Sequence, residues 1–220
     1  MKVFVSLLLL VSYLCFAGEG EAEKFELPKP DADGWISIFN GKDLTGWYND
    51  AGVFTAENGE IVGKTDKGLK RNEFLKSKFE VTDFRLVLEM KLTPNKENSG
   101  IQVRSVPYKG HEMKGYQADA GAGWWGKLYE ESGRGLLWKE DTGNKAVKPE
   151  DWNVYEIICV GTKIRTAING VLCVDLDDPK GAPKGIFGLQ MHSGGPMDVR
   201  WRNLKLQLNP KDMELTTAKK

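Results

Sequence analysis

The sequence predicts an all-β fold, a two-sheet antiparallel sandwich or jelly roll, from three observations. Short apolar or alternating segments recur along the whole chain, and clusters of Gly, Asn, Asp and Pro separate them. Nowhere does an apolar spacing of three and four residues persist, so no long amphipathic helix is expected. Seven Trp and 25 Gly among 220 residues fit many turns around a core of large side chains.

The elements follow in order. Residues 1–17 read as a signal peptide: Lys2 is the positive n-region, residues 3–16 the apolar h-region, and Cys15-Phe16-Ala17 the cleavage site. The run is too short for a membrane span. Cys15 also raises a lipid-anchored alternative, but Tyr13 and Leu14 before it are bulky where such sites take small residues. An exported product, periplasmic or extracellular, is therefore expected. Residues 18–33, rich in Glu, Pro and Lys, read as an extended lead-in. Strands are expected at 35–39, 54–57, 60–62, 74–76, 84–92, 101–106, 116–120, 155–160, 163–168, 171–176, 186–192 and 198–208, within one domain over 34–208. Residues 209–220 form a C-terminal tail. In 84–92, Phe84, Leu86, Leu88, Met90 and Leu92 alternate with Arg85, Val87, Glu89 and Lys91, which gives one dry face.

Residues 155–176 read as a three-strand meander, with turns at Gly161-Thr162 and Asn169-Gly170. Pairing through those turns places Cys173 opposite Thr166, and Thr166 opposite Ile157. Cys159 then lies two strands from Cys173, roughly 10 Å away. That exceeds disulfide reach, so both cysteines are expected to be free and buried.

Charge excludes some partners. With 31 basic against 31 acidic side chains, the chain has no net field to draw nucleic acid or an anionic membrane. No nucleophile elbow, phosphate-binding loop, dinucleotide fingerprint or zinc-ligand cluster is present, and His111 and His192 are too few for a histidine-rich metal site. The oxygen ligands open to a divalent cation are Asp119 with Glu130 or Glu131.

Parity marks a candidate site. In the segment Asn98-Ser99-Gly100-Ile101-Gln102-Val103-Arg104, Ile101 and Val103 face one side and Gln102 and Arg104 the other. Gln117 and Asp119 share the polar face of their strand, as do Gln190 and His192 of theirs. The same parity describes an ordinary solvated outer face. The residue types favour a site, because amide, guanidinium, carboxylate and imidazole groups bind sugar hydroxyls. These side chains are expected to converge on one concave sheet face. Residues 121–148 read as a long irregular loop carrying Trp124, Trp125, Tyr129 and Trp138. Its segment 124–134 is expected to fold over that face, with aromatic planes for a sugar ring and Glu130 or Glu131 as carboxylates. Otherwise those aromatics simply pin the loop to the domain. His111 reads as part of an exposed loop.

The motifs resemble a known family. Gly34-Trp35-Ile36-Ser37-Ile38-Phe39-Asn40-Gly41-Lys42-Asp43-Leu44-Thr45-Gly46-Trp47 is similar to the opening signature of the 3-keto-disaccharide hydrolase domain family. The likeness continues through Asn98-Ser99-Gly100-Ile101, Trp152-Asn153, Asn169-Gly170 and the closing Gly188-Leu189-Gln190-Met191-His192-Ser193-Gly194-Gly195-Pro196. The resemblance implies a concanavalin-like jelly roll, export, and action on glycosides oxidised at carbon 3. Many members carry a Glu in the strand that here reads Gly115-Tyr116-Gln117-Ala118-Asp119.

On such a substrate the 3-ketone acidifies the proton on carbon 2. A base removes it, the enolate expels the group on carbon 1, and water adds to the enone. Asp119, Glu130 or His192 is the expected base. Arg104, with Gln102, Gln117 or Gln190, is expected to hold the oxyanion. No cofactor is required. The rival reading is a non-catalytic carbohydrate-binding or adhesion module on the same face.

Overall fold

The structure, a computed structural model, describes residues 25–218. The expected signal peptide, and the part of the lead-in before residue 25, lie outside the described residues. The chain forms β1 (Ile36–Ser37), β2 (Trp47–Tyr48), β3 (Phe54–Glu57), β4 (Glu60–Thr65), β5 (Glu73–Val81), β6 (Phe84–Thr93), β7 (Asn98–Pro107) and β8 (Met113–Gly121). There follow β9 (Leu128–Glu131), β10 (Gly135–Trp138), α1 (Thr142–Ala146), β11 (Asn153–Val160), β12 (Lys163–Ile168), β13 (Val171–Asp177), β14 (Gly185–Met191) and β15 (Met197–Leu208).

Two antiparallel sheets result. The first runs β13-β12-β11-β6-β15-β4-β3 with β1 also on β15, and the second runs β10-β9-β8-β7-β14-β5-β2. The all-β sandwich is as the sequence predicts. Alternation places the core between the sheets: Leu86, Leu88, Met90 and Leu92 of β6 are buried against Ile101, Val103, Leu189 and Met191 of the second sheet's strands. Phe84 of β6 meets Phe187 of β14 edge to face, with centroids 5.0 Å apart.

Two departures from the sequence reading have physical causes, and the tail adds a contact on which the sequence reading is silent. Residues 121–148 are not one irregular loop. Gly135, at φ +79°, helps close a short hairpin, β9–β10, that extends the second sheet. The meander register differs by one residue in its last strand. Thr166 pairs with Ile157 as expected but with Val174 on the other side, because a bulge follows Thr166. Cys159 and Cys173 are nonetheless free and buried. Finally, residues 212–217 of the tail lie on the outer face of the first sheet, held by Arg85 and Glu156.

Candidate functional site

The outer face of the second sheet is built in rows. Register places Gly188, Gln102, Gln117 and Tyr129 side by side across β14, β7, β8 and β9. The next row is Gln190, Gly100 and Asp119. Gly100 is needed for space: a Cβ there would stand 2.6 Å from Cγ of Gln117. Its absence lets Gln117 lean across the sheet, so that Nε2 donates to Asp119 Oδ1 at 2.7 Å and to Gln190 Oε1 at 3.2 Å. Gln102 donates to Gln117 Oε1 at 2.7 Å.

At one end of this face lies a cleft of about 320 Å³, lined by Gln117, Asp119, His192, Glu131 and Asn98 with Trp124 and Tyr129. Trp124 is 39% exposed and stands edge to face with Tyr129, their centroids 6.3 Å apart. The excursion that carries Trp124 is a turn between β8 and β9, closed where the Asp119 N–H donates to the Lys127 carbonyl. Neighbouring indoles part company there. Trp124 faces the cleft, whereas Trp125 turns into the core and donates to Asn95 Oδ1 at 2.7 Å.

Burial dominates the electrostatics. It pushes the Asp119 carboxyl up to about 8, with the Glu131 charge acting in the same direction and the Gln117 hydrogen bond and Lys127 acting against it. Since Oδ1 accepts from Gln117 and Oδ2 is buried without a partner, the proton of the neutral acid belongs on Oδ2. Gln190 Nε2 is likewise buried without a partner. Burial and the Glu112 charge raise the Glu131 carboxyl, against a Ser132 backbone hydrogen bond and His192. His192 Nδ1 lies 2.6 Å from the Ser193 carbonyl oxygen, which can only accept, so the neutral ring carries its proton on Nδ1 and keeps the Nε2 lone pair.

Of the residues expected to converge, Gln117, Asp119 and His192 line the cleft with Trp124 and Tyr129, and Gln102 and Gln190 lie behind them on the same face. Segment 124–134 does not fold over that face, because its residues 128–131 pair edge to edge with β8 and extend the sheet. Arg104, Glu130 and Trp125 are corrections. A bulge between Val103 and Val106, with Arg104 at φ +45°, breaks the parity of β7. Arg104 instead bonds the carbonyls of Thr82 and Gly161 and the carboxylate of Asp83, tying β7 to the β5–β6 connection between the sheets and to the β11–β12 turn of the first. Glu130 of β9 pairs with inward-facing Tyr116 of β8 rather than with Gln117. It is bound to Arg134, which also binds Asp178. Trp125 is a core residue. Asn98, at the head of β7, lines the cleft without being among the expected residues, although its parity with Gly100 and Gln102 signals it. Asp119 and Glu130 do not meet as a cation pair, and among the described residues no three His, Cys, Asp or Glu groups gather as metal ligands. The described residues contain no helix long and apolar enough to cross a membrane.

A model of the 3-keto-alpha-glucoside-1,2-lyase-like domain matches residues 34–207. No curated protein matches the chain. Among solved structures, a candidate glycosyl hydrolase from Parabacteroides distasonis ATCC 8503 is 24% identical, covers 79% of this chain and 98% of its own, and superposes with a TM-score of 0.62. A second candidate glycosyl hydrolase from that organism is 22% identical over 81% of this chain and 96% of its own, with a TM-score of 0.59. The carbohydrate-binding module CBM66 from Bacillus subtilis is 15% identical over 79% of this chain and 95% of its own, with a TM-score of 0.52. At these identities the likeness is one of fold.

Proposed function

The chain belongs to the 3-keto-alpha-glucoside-1,2-lyase-like domain family, and from that premise we propose that it is an exported enzyme cleaving 3-keto-glycosides by elimination. The observation that carries this reading is the pairing, in one cleft, of a buried neutral acid, Asp119, with an imidazole whose Nε2 is free, His192.

In this scheme His192 Nε2 takes the proton from carbon 2, and the electron pair moves onto the 3-keto oxygen, which accepts a hydrogen bond from Asp119 as its side chain turns the buried Oδ2 toward the cleft. A neutral acid in a buried site is a strong donor to such an enolate. As the carbonyl reforms, a double bond forms between carbons 1 and 2, and the oxygen on carbon 1 leaves, taking the proton from His192. Water then adds across the double bond, hydroxyl to carbon 1 and hydrogen to carbon 2. Glu131, the cleft's second carboxyl, is the group to activate that water.

Incubation with a 3-keto-disaccharide in deuterated water tests the scheme. Release of the keto-sugar with deuterium at carbon 2 is expected. Equal cleavage of the unoxidised disaccharide, or cleavage without exchange, overturns it. A second reading, a non-catalytic carbohydrate-binding module, is supported by the exposed Trp124 at the cleft and by the fold likeness to such a module. Saturable binding of the keto-sugar with no turnover favours it. Export rests on residues 1–17: a mature product beginning near Gly18 supports it, and a diacylated Cys15 would replace it with a lipid-anchored form.

A further inference from the structure

Gln102 is fully buried and takes no part in lining the cleft. Its amide nevertheless sits in the middle of a chain of hydrogen bonds that ends on Asp119. The Ser105 hydroxyl, with the Val103 and Tyr116 carbonyls at 3.0 and 3.3 Å, makes its shortest bond to Gln102 Oε1 at 2.7 Å, and Gln102 Nε2 donates to Gln117 Oε1 at 2.7 Å. With its oxygen so occupied, Gln117 presents its NH2 group to Asp119 Oδ1 at 2.7 Å. A side-chain amide is a two-ended object: whichever end is pinned decides what the other end offers. We propose that Gln102 is a positioning residue, which through Gln117 keeps Oδ1 of Asp119 as the acceptor and leaves Oδ2 as the atom that meets substrate. The assignment rests on the reading of Asp119 as the acid of the cleft.

Removing the pin has a defined sign. Without Gln102 the Gln117 amide keeps only its longer bond to Gln190 Oε1, at 3.2 Å, to oppose a reversal that turns its oxygen toward Asp119. A carboxylate is repelled by that oxygen, whereas the protonated acid can donate to it, so the reversed amide favours the acid. Gln102→Met is the sharp variant, because it keeps an unbranched side chain in the site and changes no charge. The charged groups that face Asp119, namely Glu131 and Lys127, and the cleft imidazole His192 all stay in place. Any movement in the Asp119 titration then comes through the amide chain and not through a new field.

The test is a carbon-13 NMR titration of the Asp119 carboxyl in substrate-free protein labelled at aspartate. Gln102→Met is expected to raise the midpoint above the wild-type value by about half a pH unit or more, toward that of Gln117→Met. Ser105→Ala, which deletes a single hydroxyl and leaves the packing nearly unchanged, is expected to raise it by less in the same direction. It carries the test should Gln102→Met fail to fold. A wild-type midpoint in either folded variant overturns the proposal. A raised midpoint together with wild-type cleavage by Asp119→Asn leaves the amide chain standing and removes the reading of Asp119 as the acid.

Discussion

On the outer face of the first sheet, buried charges are met by the chain's own tail, whereas on the second sheet two buried polar atoms of the candidate site are left over. Glu156 of β11 is wholly buried, with Oε1 accepting from the N–H and hydroxyl of Thr216 and Oε2 from those of Thr217. Arg85 of β6 donates to Gln207, Asp212 and the Glu214 carbonyl, and its Nε lies 3.3 Å from Glu156. Opposite, the Gln102, Gln117, Asp119 and Gln190 group leaves Asp119 Oδ2 and Gln190 Nε2 without protein partners. Burial of polar side chains is common to both faces. Arg85 Nε also lacks a hydrogen-bond partner, but its charge is met by Glu156. What sets the second face apart is that its unmet atoms belong to a group lining a cleft, a cost that folding alone does not explain.

Activity should separate the two faces most widely. Removing a general acid or base costs roughly 10²–10⁴-fold in rate, so Asp119→Asn and His192→Ala should each lower kcat/KM for a 3-keto-glycoside by that order. Glu156→Gln should leave it within about twofold. A comparable loss from Glu156→Gln would break the comparison. Stability should invert the ranking. Arg85→Ala leaves Glu156 buried beside a vacated site, and breaking a buried pair costs about 3–5 kcal/mol. Urea unfolding reads this directly. A cost near zero would mean that the tail does not hold the pair dry.

How far the sequence reveals each face follows from what parity can encode. Alternation alone marks the core face of β6 and places Gln102, Gln117, Asp119 and Gln190 on one side of the other sheet, because a strand's period is fixed by backbone geometry. It fails at Arg104, since a bulge inserts one residue and resets the parity without any mark in the local composition. It fails at Glu130 because the hairpin of β9 and β10 is hidden among residues typical of loops, Gly133 and Gly135 among them. Parity also gives Arg85 and Glu156 the same standing as Gln117 and Asp119. Only the return of Thr216 and Thr217 from a distant part of the chain tells them apart, and pattern within a strand carries no information on that.

The pH dependence of stability sharpens the contrast. Asp119 is raised from an ordinary 3.8 to about 8 in the folded protein, so the folded state holds a proton that the unfolded state has lost between those values. Its contribution is fully present below about pH 4 and is lost as pH rises through about 8. The slope reaches at most about 1.4 kcal/mol per pH unit. Asp178, held at about 2 chiefly by Arg134, acts in the opposite sense: its contribution is present above 3.8 and is lost as pH falls through 2. Asp119→Asn should therefore flatten the fall of stability between pH 4 and 8 in denaturant titrations, and leave the loss below pH 4 unchanged. An unaltered slope in that variant would show that Asp119 is not a proton holder.

The smallest difference concerns aromatic surfaces. Trp152, beside the first sheet, has Arg202 stacked at 3.9 Å and Lys91 at 5.1 Å from its ring centroid, so its faces are already occupied by the protein. Trp124 stands at the cleft with Lys127 at 5.4 Å and the edge of Tyr129 against it, and keeps 39% of its surface exposed. An aromatic contact with a sugar ring is made equally in the ground state and the transition state, and is taken to be of the order of an aromatic pair, about 0.5–1.5 kcal/mol. Trp124→Ala should thus raise KM by roughly 2–10-fold with kcat within about twofold, the signature of uniform binding. Trp152→Ala should leave both unchanged. Were Trp124→Ala to lower kcat and spare KM, the indole would be acting on the geometry of Asp119 and His192 and not as a platform for the sugar.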